Sequence, residues 1–332
     1  RSVLATRPQL PPLNAEWLAL TQFAAAYYHR PVGEVMLPAL PKNLKALKTV
    51  ALDKALKKIS KQPAQPVWQV STAPVLNEEQ AAVVDVVCQG NGFATHLLFG
   101  VTGSGKTEVY LQSAARLLAQ EPDAQILILV PEINLTPQLE NHLRTRFPGM
   151  PVATLHSGLS EGERTLHWLN AHLGHARILL GTRLAVLASL PKLRLIIIDE
   201  EHDVSYKQQE GLRYSARDLA IWRAHQRAIP VLLGSATPSL ESWHASSPTA
   251  QGGPGRYLRL AMPGRIGAAA LPRVRLVDMT QQPRKDKGQV RKVTPEELLE
   301  ALNAARPHFH DQRANKRALY RYCVENGLLH PD

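Results

Sequence analysis

From residue 76 onward, short apolar runs alternate with stretches of helical periodicity. The runs at 95–99, 125–130, 152–155, 176–180, 193–198 and 231–233 are almost wholly apolar and bounded by polar or turn-forming residues. Such short, uninterrupted runs predict strands buried on both faces. Between them, 106–119, 137–147, 161–172 and 216–228 place apolar residues three and four apart, which predicts amphipathic helices. Thr136 before Pro137, and Ser160 with Glu163, are good helix starts. A hydroxyl caps free amides, proline tolerates the first turn, and a glutamate three residues on reaches back. Strands alternating with helices predict an α/β fold with a doubly wound parallel sheet.

Outside this block the pattern differs. Residues 14–28 read as a helix capped by Asn14, with Trp17, Leu20, Ala24 and Tyr27 on one face. Pro31, Pro38 and Pro41 punctuate the next segment. Seven lysines stand against the single acid Asp53 between Lys42 and Lys61, which reads as a solvated helix face or linker, or else as a phosphate-tracking arm. Pro63, Pro66 and Pro74 mark a boundary. Beyond a Gly/Pro-rich stretch at 248–255, two strand-like runs (257–261 and 274–277) precede a polar, basic loop and a helix over 294–305 opened by Thr294 and Glu297. A short helical pattern comes last, near 319–326. The resulting division is 1–62, 63–247 and 248–332.

Charge narrows the partners. With 39 Lys and Arg against 28 Asp and Glu, the formal net charge is +11, which favours a polyanion while also suiting a basic enzyme of no special partner. Two cysteines, Cys88 and Cys323, argue against a disulfide framework or a cysteine-rich zinc site. No apolar run approaches the roughly 18 residues of a membrane span, and the expected compartment is the cytoplasm.

Three motifs carry chemistry. Gly100-Val101-Thr102-Gly103-Ser104-Gly105-Lys106-Thr107 has the spacing of a phosphate-binding loop between a strand and a helix. Glycines let backbone N–H groups turn toward phosphate oxygens at the positive end of the next helix. Lys106 would reach the β- and γ-phosphates of ATP and Thr107 would ligand Mg²⁺. Second, the run 195–198 ends in Asp199-Glu200-Glu201-His202. Carboxylates at a strand end suit a metal ligand, Asp199, and a residue that polarises the attacking water, Glu200. Third, Gly234-Ser235-Ala236-Thr237-Pro238-Ser239 follows another apolar strand, and its hydroxyls could relay the phosphate state. A plain helix cap by Ser239 is the bland alternative.

The order GKT, DEEH, SAT is that of superfamily 2 helicases. Together with 100–110, 129–138, the Gly181-Thr182-Arg183 triplet, SYKQQEGLRYSARD after the acidic cluster, and GSATPS, the chain resembles the PriA family of replication-restart DNA helicases. That resemblance implies a RecA-like P-loop lobe with ATP and Mg²⁺ as ligands, 3′-to-5′ DNA unwinding, and primosome proteins and single-strand-binding protein as partners. It places Gln80 where adenine is read, and Thr136, Thr182 and Arg183 where the lobe meets the DNA backbone. His202, Ser235 and Thr237 become coupling residues. The aromatic-rich loop with Tyr206, Lys207, Arg213 and Tyr214 becomes the link between single-strand binding and hydrolysis. The residues agree, since aromatics stack on bases and cations meet phosphates, although two tyrosines packed inward remain the alternative.

The resemblance also implies that the chain departs from the family. Residues 1–62 resemble only the end of its N-terminal DNA-binding domain with a basic linker. Winged-helix and zinc segments are not evident, and the second lobe is represented only by its entry. The expectation is a chain truncated at both ends. Two other readings stay open: a non-catalytic fragment that binds DNA and nucleotide, and another superfamily 2 translocase.

Overall fold

The apolar runs sort themselves onto two faces. In β2 (Gln125–Leu129), Ile126 and Ile128 pack on one side and Leu127 and Leu129 on the other; in β5 (Leu193–Asp199), Leu195 and Ile197 oppose Ile196 and Ile198. A strand presents successive side chains to opposite faces, so a wholly apolar strand must be covered on both. This computed structural model describes residues 7–46, 50–61, 68–90, 92–131, 136–249 and 252–266. Within them β1 (Ala94–Gly100), β3 (Val152–Leu155), β4 (Ile178–Gly181), β6 (Pro230–Ser235) and β7 (Leu258–Met262) complete a seven-stranded sheet in the order β3-β4-β2-β5-β6-β1-β7. All its pairings are parallel.

One face is covered by α5 (Glu78–Gln89), α6 (Lys106–Gln120) and α7 (Thr136–Arg146), which contribute Val83, Val109, Leu118 and Leu143. The other is covered by α8 (Glu161–His172), α9 (Ala216–Arg227) and, before the sheet begins, α1 (Ala15–Tyr27), α2 (Val32–Ala39) and α4 (Val50–Ser60). A short helix, α3 (Lys42–Lys45), lies between α2 and α4, and α10 (Leu240–Ala245) follows β6. Fully burying one leucine or isoleucine of these clusters stabilises the fold by about 1.5–3 kcal/mol.

Local chemistry fixes the helix starts. Asn14 accepts from the Trp17 amide, and Ser160 and Glu163 form a reciprocal capping box. Thr136 opens α7 rather than preceding it, and its side chain lies outside the described residues. On α1, Trp17, Leu20 and Ala24 are buried as the spacing predicts, but Tyr27 is 61% exposed and stacks on Phe23. The expected apolar face stops one turn earlier, and the next residue, Tyr28, packs against the core instead, its hydroxyl accepting from the Ser215 amide at 3.0 Å.

The lysine-rich stretch is a solvated face. Leu52, Ala55 and Ile59 of α4 are buried while Lys54, Lys57 and Lys58 point outward. The segment before the sheet shares the lobe's core. Trp17 Nε1 donates to the Leu187 carbonyl at 2.7 Å, and fully buried Arg223 of α9 pairs with Glu16 at 2.8 Å. The run expected as a strand at 257–261 joins the same sheet as β7, beside β1. The run 274–277, the helices expected at 294–305 and 319–326, and Cys323 lie outside the described residues.

Candidate functional site

The chain leaving β1 turns into α6 on one face, and the chain leaving β5 turns into α9 on the other. A doubly wound sheet opens a crevice at the carboxyl ends of its strands where successive connections diverge in this way. The phosphate-loop motif, the acidic cluster and the hydroxyl motif all sit there, at the ends of β1, β5 and β6.

The phosphate loop has the backbone its glycines promised. Gly103 and Gly105 both adopt φ +82°, a left-handed conformation that side-chain-bearing residues rarely enter. Helix α6 opens on Gly105 without any side-chain cap, so its first N–H groups face the crevice with the helix's positive end. Lys106 Nζ donates to the Gly100 carbonyl at 2.9 Å and lies 3.9 Å from Glu200 Oε1. Gly100 permits this fold-back, since a Cβ there would lie 2.6 Å from Ser104 Oγ and 3.1 Å from Lys106 Cγ. Thr102 is exposed, Ser104 buried and Thr107 half-buried in the same turn.

Gln80 is placed beside this loop, with both ends of its amide engaged. Its Oε1 accepts from the Asn77 amide at 3.1 Å, closing the capping box of α5, and its Nε2 donates to the Ser104 carbonyl at 3.0 Å. In this geometry Gln80 buttresses the phosphate loop. To read a base it would have to release one of these partners.

Asp199 ends β5 half-buried, and Oδ1 accepts from the Tyr110 hydroxyl at 2.9 Å. Partial burial pushes its carboxyl above the ordinary range; the Tyr110 hydrogen bond pulls the other way. Glu200 follows at φ +47°, a left-handed turn costing a non-glycine residue about 1–2 kcal/mol. Glu201 N–H to the Gly234 carbonyl (3.0 Å) and Asp203 N–H to the Glu200 carbonyl (2.9 Å) hold that turn. The result directs three successive acids to different places. His202 Nδ1 lies 2.8 Å from Ser235 Oγ and 3.6 Å from Glu200 Oε2, and its Nε2 lies 3.3 Å from Thr237 Oγ1. The hydroxyl motif thus contacts the histidine rather than the carboxylates of Asp199 and Glu200.

The aromatic-rich loop corrects an expectation. Tyr206 and Tyr214 are 3% and 4% exposed and pack into the core, while Lys207 and Arg213 are exposed. The Tyr206 hydroxyl reaches the carbonyls of Asp199 (2.6 Å) and Leu129 (3.0 Å), and burial raises both phenol pKa values. Neither ring offers a free face for a base here, because an amphipathic ring beside an apolar strand end gains more by burying its face and bonding its tip. Thr182, Arg183 and Tyr214, with Pro31, Leu37 and Gln208, line a cleft of about 1220 Å³ between α2 and the strand ends. Arg183 is tied to the Ser205 carbonyl at 3.1 Å.

A family model for the DEAD/DEAH box helicase matches residues 77–245, half of the chain, covering all three motifs. The chain belongs to the DEAD/DEAH box helicase family. Its parallel sheet is the RecA-like lobe of these helicases. Among individual proteins, it is 48% identical over 216 residues to the replication restart protein PriA of Synechocystis sp., which is 65% of this chain and 25% of that protein. It is 41% identical over 255 residues to PriA of Bacillus subtilis (76% and 30%) and 42% identical over 217 residues to PriA of Haemophilus influenzae (65% and 28%). The chain therefore spans between a quarter and a third of the length of these relatives.

Glu201, to which the sequence motifs assign no role, is a further residue of this helicase lobe, and it meets Arg217 of the SYKQQEGLRYSARD stretch. Glu201 is 2% exposed; its Oε1 accepts from the Ser239 amide (2.8 Å) and its Oε2 from Arg217 (3.0 Å), Ser239 Oγ (3.1 Å) and Ser242 Oγ (2.8 Å). Ser239 also caps α10, as its bland reading held. Arg217 stands at the start of α9, straight after the aromatic-rich loop, so this cluster ties that loop to the ends of β5 and β6. A third acid in DEEH was the available signal, but nothing in the sequence said which acid turns inward.

Proposed function

We propose that this chain provides the nucleotide-binding lobe of an ATP-dependent DNA helicase acting in replication restart. The observation that carries the proposal is the convergence of Lys106, Asp199, Glu200 and the His202–Ser235–Thr237 cluster at one strand edge. The residues suit ATP with Mg²⁺: an uncapped helix start, two left-handed glycines, a lysine donating to its own loop and facing Glu200, and a carboxylate at the end of β5, one strand removed from β1. Thr107 and Asp199 would hold the ion, which when bound shields phosphate charge and orients the terminal phosphoryl group.

Lys106 exchanges the Gly100 carbonyl for phosphate oxygens, a trade of a neutral acceptor for an anionic one. Glu200 orients the attacking water and accepts its proton, and its left-handed backbone separates it from the ion-holding carboxylate. His202 senses Glu200 on one side and the hydroxyls beyond β6 on the other, and so can report the nucleotide's state. On the same strand edge, Lys207, Arg213, Thr182 and Arg183 supply cations and a hydroxyl for a nucleic-acid backbone beside the cleft, in keeping with the net charge of +11. The PriA relatives support DNA as the polymer and replication restart as the setting. The proposal extends to unwinding in the 3′-to-5′ direction and to partnership with primosome and single-strand-binding proteins.

ATP binding and hydrolysis, each with and without single-stranded DNA, test the reading with Lys106→Ala and Glu200→Gln as comparisons. DNA-stimulated turnover is expected in the parent chain, loss of ATP affinity in Lys106→Ala, and binding without turnover in Glu200→Gln. Unchanged ATP affinity in Lys106→Ala would overturn the site. ATP binding with no turnover in the parent chain would favour a lobe that binds nucleotide and DNA without catalysis.

A further inference from the structure

The Tyr110 hydroxyl donates to Asp199 Oδ1 from a ring only 1% exposed. Tyr110 lies four residues after Lys106, one turn into α6, so a single helix presents the lysine at the mouth of the crevice and the phenol behind it. Its route to Asp199 crosses β6 at Gly234, the register partner of Asp199. A Cβ at Gly234 would lie 1.7 Å from the Tyr110 oxygen and 2.8 Å from its Cζ. Gly234 is not among the glycines with left-handed backbone. Its lack of a side chain is therefore explained by the space the tyrosine needs. One contact links the phosphate-loop helix, the acidic cluster and the hydroxyl motif.

We propose that Tyr110 is a positioning residue for the metal-holding carboxylate: its hydroxyl fixes Asp199 in one orientation through Oδ1 and leaves Oδ2 for the ion. The inference rests on the nucleotide-site reading above. A free aspartate side chain turns about two bonds, and ordering it on metal binding costs entropy that a prior hydrogen bond removes. Partners of this kind, one bond removed from the metal, typically change metal affinity 10–100-fold when lost. The ring is inaccessible to solvent and its hydroxyl has no other partner among the described residues, so orientation of Asp199 is the work left to it.

The test is Tyr110→Phe in the full chain, which keeps the ring and removes the donor. ADP affinity is measured by calorimetry with and without magnesium, bound Mn²⁺ is followed by electron paramagnetic resonance in the presence of ADP, and Tm is recorded. Metal-free ADP affinity should stay within about twofold and Tm within a few degrees, while the magnesium-dependent gain in affinity drops on the order of tenfold. The Mn²⁺ spectrum should shift as the carboxylate loses its fixed orientation. An unchanged magnesium gain would overturn the inference, as would a parallel fall of metal-free affinity and Tm, the signature of packing alone. Asp199→Asn separates the two levels. If it abolishes the magnesium gain and Tyr110→Phe does not, the inference alone fails. If Asp199→Asn keeps the gain, the metal reading fails and takes the inference with it.

Discussion

Nδ1 of His202 lies 2.8 Å from the Ser235 hydroxyl, and the same hydroxyl accepts the Thr237 amide at 2.9 Å. One side-chain oxygen therefore joins the end of β5 to the turn after β6. Ser235→Ala removes that junction without touching the phosphate loop. ATP affinity should stay within about twofold, while stimulation of hydrolysis by single-stranded DNA falls on the order of tenfold, the scale of an ordinary coupling free energy. Turnover measured against DNA concentration decides it; full stimulation in the variant would remove Ser235 from the relay.

The buried tyrosines and exposed cations of the aromatic-rich loop should separate in their effects. Tyr214→Ala empties a core position and should cost about 3 kcal/mol in urea unfolding. Tyr206→Phe, which strips a hydroxyl from two carbonyls, should cost about 1 kcal/mol. Lys207→Ala and Arg213→Ala should leave stability alone but weaken single-stranded DNA binding, lowering the salt slope by about one contact each. Weaker DNA binding in Tyr206→Phe at full stability would mean that the Tyr206 hydroxyl serves nucleic-acid binding rather than packing alone.

Glu16 and Arg223 tie the first helix to the lobe. Arg223 is fully buried and also donates to the Val186 carbonyl at 2.8 Å. Removing its counter-ion leaves a buried charge unpaired, so Glu16→Ala should cost about 3 kcal/mol or more. A shift of the denaturation midpoint with unchanged cooperativity would show α1 unfolding together with the sheet. An unchanged midpoint would mean that α1 detaches without cost to the sheet.

Acid should weaken the fold through His96. Its ring is 2% exposed, neither nitrogen has a partner among the described residues, and burial pushes its pKa down to about 4. The folded state keeps it neutral while the unfolded chain protonates it near 6.5. Its contribution is complete above that value and is lost as pH falls toward 4, up to about 3 kcal/mol. Burial depresses His167 and His172 in the same direction. Tm measured from about pH 7 to about pH 5 should decline, and His96→Leu should flatten part of that decline. An identical slope in the variant would place the titration elsewhere.

Much of the lobe was legible because its signals are local. The apolar runs that became β2 and β5 are short, bounded and doubly apolar, so only a strand buried on both faces suits them. The glycines at 103 and 105 announce a left-handed turn, and Asn14 and Ser160 announce helix starts, because each acts on amides within three residues. Errors arose where an outcome depends on distant partners. Tyr27 and Tyr214 have equal claims to burial by residue type, yet one is exposed and the other is in the core.

The sequence by itself determined the alternation of strands and helices, the left-handed glycine turn between β1 and α6, and which acids and hydroxyls fall at strand ends, since these follow from periodicity and from contacts a few residues apart. Only the tertiary structure decided the rest. It turned Glu201 inward onto Arg217 while Glu200 faced Lys106, divided the Gln80 amide between the cap of α5 and the loop, and drew Tyr110 across Gly234 to Asp199. Those outcomes depend on which strand lies beside which, and register between strands far apart in the chain is set by packing the whole sheet rather than by any segment of it.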